Sequence, residues 1–230
     1  MLPVRNRPVL VLRPEPGNTA TCRAAQAHGL HAIGAPLFAY ASRGWTLPDG
    51  EWSGLLVGSA AVFAHGGPAL AELHGIPVHA VGPTTARAAH NAGFSLAQTG
   101  SGGLQPMVGA LPPGRYLRLA GEDRVPLTPS PDVEVIDVVV YAAEALPLAP
   151  AAIDLIRREP VLALLHSAQA ARHFADQCAG LNLPRDSIAI ACLAPRIAQA
   201  AGENWQSIAI APRPLDEALL PLAQQMCQVV

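Results

Sequence analysis

The sequence predicts an α/β protein with largely parallel sheets. Short apolar runs alternate with helix-like stretches from one end to the other, and most runs are followed by a turn of small residues that opens the next helix. Two such segments are duplicated. Leu56-Val57-Gly58-Ser59-Ala60-Ala61 resembles Leu164-Leu165-His166-Ser167-Ala168-Gln169, and Val81-Gly82-Pro83-Thr84-Thr85-Ala86 resembles Leu193-Ala194-Pro195-Arg196-Ile197-Ala198. The order is matched, with 24 residues from Ser59 to Pro83 and 28 from Ser167 to Pro195. Strand-turn-helix units also converge on small residues, but matched order and spacing favour two related α/β domains.

Each element follows from its local pattern. Residues 9–12 are an apolar run and read as the first strand; Asn18 is suited to cap a helix that runs to about His28, where Gly29 supplies the stop. A second strand is expected at 31–35. Residues 37–51 hold Ser, Gly, Pro, Asp and Trp45 without helical period and read as a connector. Strands at 55–57, 78–81, 95–98 and 116–119 then alternate with helices at 60–64, 84–92 and 104–111. The β-branched run 133–140 closes this block at Tyr141. Residues 142–150, with two prolines, form a second connector before a helix at 151–157, a strand at 161–165 and renewed alternation up to a final helix at 215–226.

Composition narrows the function classes. Of 230 residues 50% are apolar and only 14% charged, against roughly 25% in ordinary soluble domains, with a net charge of -2. The length suits one large domain or two of about 100–120 residues. The longest uncharged apolar stretches, 55–64 and 188–195, fall short of the roughly 18–20 residues that span a bilayer. Residues 1–8 lack the pattern of a leader, so a soluble, cytoplasmic protein with no membrane partner is expected. All 15 basic residues are Arg, which excludes Schiff-base and P-loop lysine chemistry. With 4% aromatics and near-neutral charge, nucleic acid is not an expected partner. Cys22, Cys178, Cys192 and Cys227 have no metal-site or disulfide-framework spacing and read as buried or idle thiols.

In a parallel α/β sheet, ligands gather outside the carboxyl ends of the strands, where helix N-termini present N–H groups. Ser59 and Ser167 are suited to cap such helices, and Pro83 and Pro195 stand where a first-turn proline loses no hydrogen bond. Taken singly, each is equally an ordinary cap. Were the two domains to face each other, these turns would line one cleft with backbone donors, which suits a small polyanion. GxGxxG, GxxxxGK[ST] and GxSxG are all absent from the expected turns. His28 and His31, His74 and His79, and His166 and His173 form no HExxH or Cys/His set, so no metal is expected. Glu122-Asp123-Arg124 reads as a solvated charged loop.

Together, Arg13-Pro14-Glu15-Pro16, Gly29, Pro36-Leu37, Ser59, Val81-Gly82-Pro83-Thr84-Thr85-Ala86, Leu119-Ala120-Gly121-Glu122, Val139-Val140-Tyr141, His166-Ser167 and Pro195-Arg196-Ile197-Ala198 resemble the uroporphyrinogen-III synthase family over nearly the whole chain. That resemblance implies two flavodoxin-like, three-layer domains with parallel sheets, joined by a two-stranded linker, the first domain discontinuous. Domain 1 would comprise 1–38 plus 145–230, domain 2 would be 42–140, and 39–41 and 141–144 would be the linker strands. The connection is thin enough for domain motion to be expected.

The resemblance further implies a monomeric, cofactor-free hydro-lyase. Such an enzyme closes hydroxymethylbilane into uroporphyrinogen III with inversion of ring D and loss of water, taking its substrate from hydroxymethylbilane synthase in a transient contact. Free substrate closes simply to the type I isomer, so position is what the protein supplies. Tyr141 matches the family's tyrosine that assists departure of the hydroxyl, and equally could pack one domain on the other. Thr85 matches a hydroxyl at a helix start, with capping as its other reading. Ser59, Ala60, Ser167 and Ala168 would offer N–H groups to the substrate carboxylates, as would the turns at Pro83, Thr84, Gly121 and Ile197, with Arg13 and Arg196 as cations. Leu12 and Gly58 stand where the family often has Thr, and Ala194 where Ser or Gly is frequent. A non-catalytic tetrapyrrole- or anion-binding module is the competing class on the same fold. A flavoprotein is a third, disfavoured by the few aromatics.

Overall fold

The apolar runs become strands in the computed structural model, which describes residues 7–228; the reading of the first six residues as lacking a leader lies outside them. In chain order the elements are β1 (Val9–Val11), α1 (Gly17–Ala27), β2 (Ala32–Gly34), β3 (Phe38–Ser42), β4 (Gly54–Val57), α2 (Ala61–His65), β5 (Val78–Val81), α3 (Gly82–Asn91), β6 (Leu96–Gly100), α4 (Leu104–Val108), β7 (Gly114–Gly121), β8 (Val133–Ala145), α5 (Pro150–Arg158), β9 (Val161–Leu165), α6 (Ala168–Gly180), β10 (Ile188–Cys192), α7 (Pro195–Ala201), β11 (Ser207–Ile210) and α8 (Asp216–Gln228). The chain divides into two compact units, Met1–Ala39 with Ala145–Val230, and Tyr40–Glu144.

The first unit is built on a parallel sheet ordered β11-β10-β9-β1-β2. Every residue of β1, β9 and β10 is buried, as a sheet covered on both faces requires. Val9, Val11, Leu162, Leu164, Ala189 and Ala191 pack under α1 and α8. The residues alternating with them lie under α6 and α7, which pack on each other and on β9 and β10. Chain order reverses between β1 and β9, and this is the unit's switch point.

The second unit carries the sheet β3-β8-β7-β4-β5-β6. From β8 to β6 the pairing is parallel. β3 is antiparallel to β8, since Arg43 N–H donates to Val140 O at 2.9 Å and Leu146 N–H to Leu37 O at 2.8 Å, in opposite order along the two segments. Order reverses between β4 and β7. One face packs Leu55, Val57, Leu117, Leu119 and Val140 under α2 and α3. The other packs Leu56, Tyr116 and Val133 against Leu104, Met107 and Val108 of α4, a helix of only 5 residues. β7 and β8 are parallel neighbours, yet residues 122–132 connecting them contain no helix, so the carboxyl end of this face is thinly covered.

Local expectations needed three corrections. Asn18 is no cap: α1 starts one residue earlier, and the buried Asn18 amide donates to Val11 O at 2.7 Å and Arg13 O at 3.0 Å, closing the β1–α1 turn. The compositional reading of 37–51 and 142–150 as connectors missed β3 and the end of β8, which runs to Ala145; the two pair with each other and so satisfy their backbones. α4 stops at Val108 with Gly109 as its cap, short of Leu111.

Candidate active site

Both switch points lie at carboxyl ends of strands, the place where α/β sheets bind ligands. In the second unit β4 delivers Gly58-Ser59-Ala60, β7 delivers Gly121, and β8 carries Tyr141 past them. Ser59, Arg118, Gly121, Asp123, Arg124 and Tyr141 are among the residues lining a cavity of about 210 Å³ there. The Ser59 hydroxyl accepts from Ala61 N–H at 3.2 Å, while Ala60 occupies the cap position of α2. Tyr141 is half-buried and set edge-on to Tyr40, with centroids 5.2 Å apart, and 6.3 Å from the ring of His65. A shift of register between Ala120 and Gly121 makes Gly121 the partner of Tyr141. A Cβ on Gly121 would lie 2.8 Å from two ring carbons of Tyr141.

The β5–α3 turn places its residues differently from one another. Gly82 opens α3 with φ +78°, and the helix then turns Pro83 and Thr84 outward while Thr85 is 4% exposed. Thr84 therefore presents the accessible hydroxyl of the pair, and Thr85 is packed in.

In the first unit the switch point is tied by Asp216, the first residue of α8. Its Oδ2 accepts from the Thr21 hydroxyl at 2.6 Å and pairs with Arg13 at 3.3 Å, and its Oδ1 accepts from His166 Nε2 at 3.0 Å. Burial acts to raise the Asp216 carboxyl, but the hydrogen bonds from His166 and Thr21, with the charges of His166 and Arg13, overcome it and bring it down to about 2. Arg13 is thus engaged inside the unit. Ser167 caps α6, its hydroxyl accepting from Ala170 N–H at 3.1 Å, with Ala168 half-buried beside it. Arg196 is exposed on the first turn of α7, whereas the Ile197 side chain is in the core and its N–H donates to Ala194 O.

Sequence reasoning missed Arg118. In β7 it stands between Leu117 and Leu119, and its side chain is only 6% exposed. Burial lowers the affinity of its guanidinium for the proton; Asp137 opposes this and Arg124 adds to it. A charge set between Leu117 and Leu119 in the buried middle of the strand was the available signal. Asp216 and His166 were separable only in space, being 50 residues apart. The thiols of Cys178 and Cys192 are pushed up to about 12 by burial, which removes them as nucleophiles at neutral pH. No group of three His, Cys, Asp or Glu among the described residues could hold a metal ion, and no helix there is long and apolar enough to cross a membrane.

The profile of the family described as Uroporphyrinogen-III synthase HemD matches residues 20–221, which include every residue of the cavity just described. The chain belongs to the uroporphyrinogen-III synthase family. Among solved structures it resembles that of uroporphyrinogen-III synthetase from Helicobacter pylori 26695, at 18% identity and a TM-score of 0.65 over 96% of this chain and 99% of that one. A wild-type uroporphyrinogen-III synthase from the extremely thermophilic bacterium Thermus thermophilus matches at 16% identity and a TM-score of 0.41 over 96% and 98% of the two chains. No curated protein matches. The Helicobacter likeness is one of fold, and agrees with the α/β class expected for a uroporphyrinogen-III synthase with two parallel-sheet domains.

Proposed function

We propose that this chain closes hydroxymethylbilane to uroporphyrinogen III, inverting ring D through a spiro intermediate with loss of water. The observation that carries the reading is the convergence of Ser59, Gly121 and Tyr141 on one cavity at the switch point of the second unit, in a chain of this family.

The chemistry asks little reactivity of the protein. The hydroxymethyl group loses hydroxide, leaving an azafulvene. The substituted carbon of ring D attacks it to form the spiro centre, which fragments and recloses with the ring inverted. The Tyr141 phenol, held edge-on by Tyr40 and backed by Gly121, donates a hydrogen bond to the departing oxygen as a weak general acid. Within the second unit, the Thr84 hydroxyl and the backbone N–H groups of the turns at Ser59, Ala60 and Gly121 receive carboxylates. What the protein adds over free closure to the type I isomer is orientation. We place the protein in the cytoplasm as a monomeric hydro-lyase that needs no cofactor and takes its substrate from hydroxymethylbilane synthase in a transient contact.

The test is a coupled assay in which hydroxymethylbilane is generated in situ, the products are oxidised, and the uroporphyrin isomers are resolved. Type III in excess over the protein-free control is the expected result. Type I alone from a folded sample would overturn the reading and leave a binding module.

A further inference from the structure

Beside the 210 Å³ cavity lies a second, of about 340 Å³, in the same unit. Its walls are apolar side chains and glycines, including Val81, Leu104, Val125 and Leu127, with Gln105 and Arg118. It exists because α4 is too short to cover the carboxyl end of this sheet face, and the β7–β8 connection brings no helix. Gln105 is committed: its amide donates to Thr128 O and accepts from Thr128 N–H, each at 2.9 Å. Arg118 is the one charged residue lining this cavity, and it also lines the smaller one.

The hydrogen bonds of Arg118 leave its charge poorly matched. Nη2 donates to Val125 O at 2.9 Å, but Nη1 lies 3.5 Å from Asp137 Oδ2, the outer limit of such a bond. That same oxygen accepts from Arg124 Nε at 2.7 Å, so two guanidinium groups share one carboxylate oxygen. Nε of Arg118 is buried without a partner. An arginine held this deep with one stretched ion pair is under-compensated for its lost hydration. A planar carboxylate, taking two parallel N–H bonds from the fork, is the group that restores the balance.

We propose that Arg118 binds one carboxylate of the substrate, with the pyrrole that bears it seated in the 340 Å³ cavity. Pockets that hold drug-sized ligands span roughly 300–1,000 Å³, so one of about 340 Å³ has room for a single substituted pyrrole. Gly102 and Gly103, at φ +80° and +100°, have no atom within 4 Å of where a Cβ would stand, so the rim is open backbone. This subsite rests on the substrate assignment above.

The test uses the full chain with Arg118→Met, which keeps the volume, and Arg118→Lys, which keeps the charge but loses the fork. Two quantities are measured: KM and kcat for hydroxymethylbilane generated in situ, and the Kd of uroporphyrin III, a stable octacarboxylate, by fluorescence titration. For Arg118→Met a KM and a Kd raised about 30-fold are expected, with kcat changed less than about threefold. Arg118→Lys should fall between, at about fivefold. Wild-type KM and Kd in folded Arg118→Met would overturn the proposal and make Arg118 a structural cation. If that variant does not fold, wild-type Kd in Arg118→Lys overturns it equally. Absence of type III product from the wild type strikes the function alone, because the loss of uroporphyrin binding in the variants is read separately.

Discussion

Gly121 holds open the space that the ring of Tyr141 fills: a Cβ there would stand 2.8 Å from Cε2 and Cζ and 3.0 Å from the phenol oxygen. The two residues are register partners in β7 and β8, one residue beyond a bulge, so neither can move without the other. Gly121→Ala should therefore swing the ring aside at small cost to the fold. The expected outcome is type III synthesis reduced about tenfold or more with a melting temperature within a few degrees of wild type, since a misplacement of about 1 Å is enough to slow catalysis strongly. Unchanged activity would detach the ring's position from the reaction.

Tyr141→Phe isolates the hydroxyl from the ring. The edge contacts to Tyr40 and His65 involve the ring and persist. We expect kcat to fall about 100-fold, the scale of a single general acid, with urea unfolding unchanged. A fall below about threefold would leave Tyr141 as a packing residue only.

Asp216 makes stability depend on pH. Its carboxyl sits at about 2 when folded against an unfolded value of 3.8, so it contributes stability above about pH 4 and loses it as pH falls toward 2. The shift corresponds to about 2 kcal/mol for a side chain 25% exposed. Asp216→Asn should be less stable than wild type by about that amount at about pH 7 in urea unfolding, and the difference should shrink at about pH 3. A pH-independent gap would mean that the variant disturbs packing instead.

The duplicated serines should behave unequally. Ser167 caps the 13-residue α6, and its replacement by Ala should cost about 1 kcal/mol. Ser59 bonds only two residues ahead, in front of the 5-residue α2, and Ser59→Ala should cost roughly 0.5 kcal/mol or less. Because neither change removes a backbone amide, kcat/KM should stay within about fivefold in both. A larger loss at Ser59 would assign its hydroxyl to the substrate.

Residues 9–11 and 161–165 were legible as strands because fully buried parallel strands are unbroken apolar runs, and the two sequences show them as such. β3 was not legible in local composition, which read 37–51 as a connector; only the family resemblance implied a strand at 39–41. The family motifs led to Ser59, Gly121 and Tyr141, which share a cavity. They led to Thr85 as the reactive hydroxyl, whereas Thr85 is buried and Thr84 exposed, because α3 starts at Gly82, two residues earlier than its pattern suggests. Arg118 was visible as a charge between Leu117 and Leu119, but its significance lies in what is missing around it, and that is a property of the packed sheet.

In the first sheet the interior strand β1 has its partner β9, the central strand, on the far side of the inserted unit. A ribosome therefore emits β1, α1 and β2 long before the strand that completes their sheet, while every strand from β4 to β8 of the inserted unit emerges in one continuous stretch. The inserted unit is thus able to finish folding during synthesis, and the opening segment must wait, its apolar faces unburied, until residues 161–165 appear. Stalled nascent chains in which residues 40–144 have emerged from the ribosome and 161–165 have not should accordingly show protease resistance in the inserted unit and cleavage within residues 7–39.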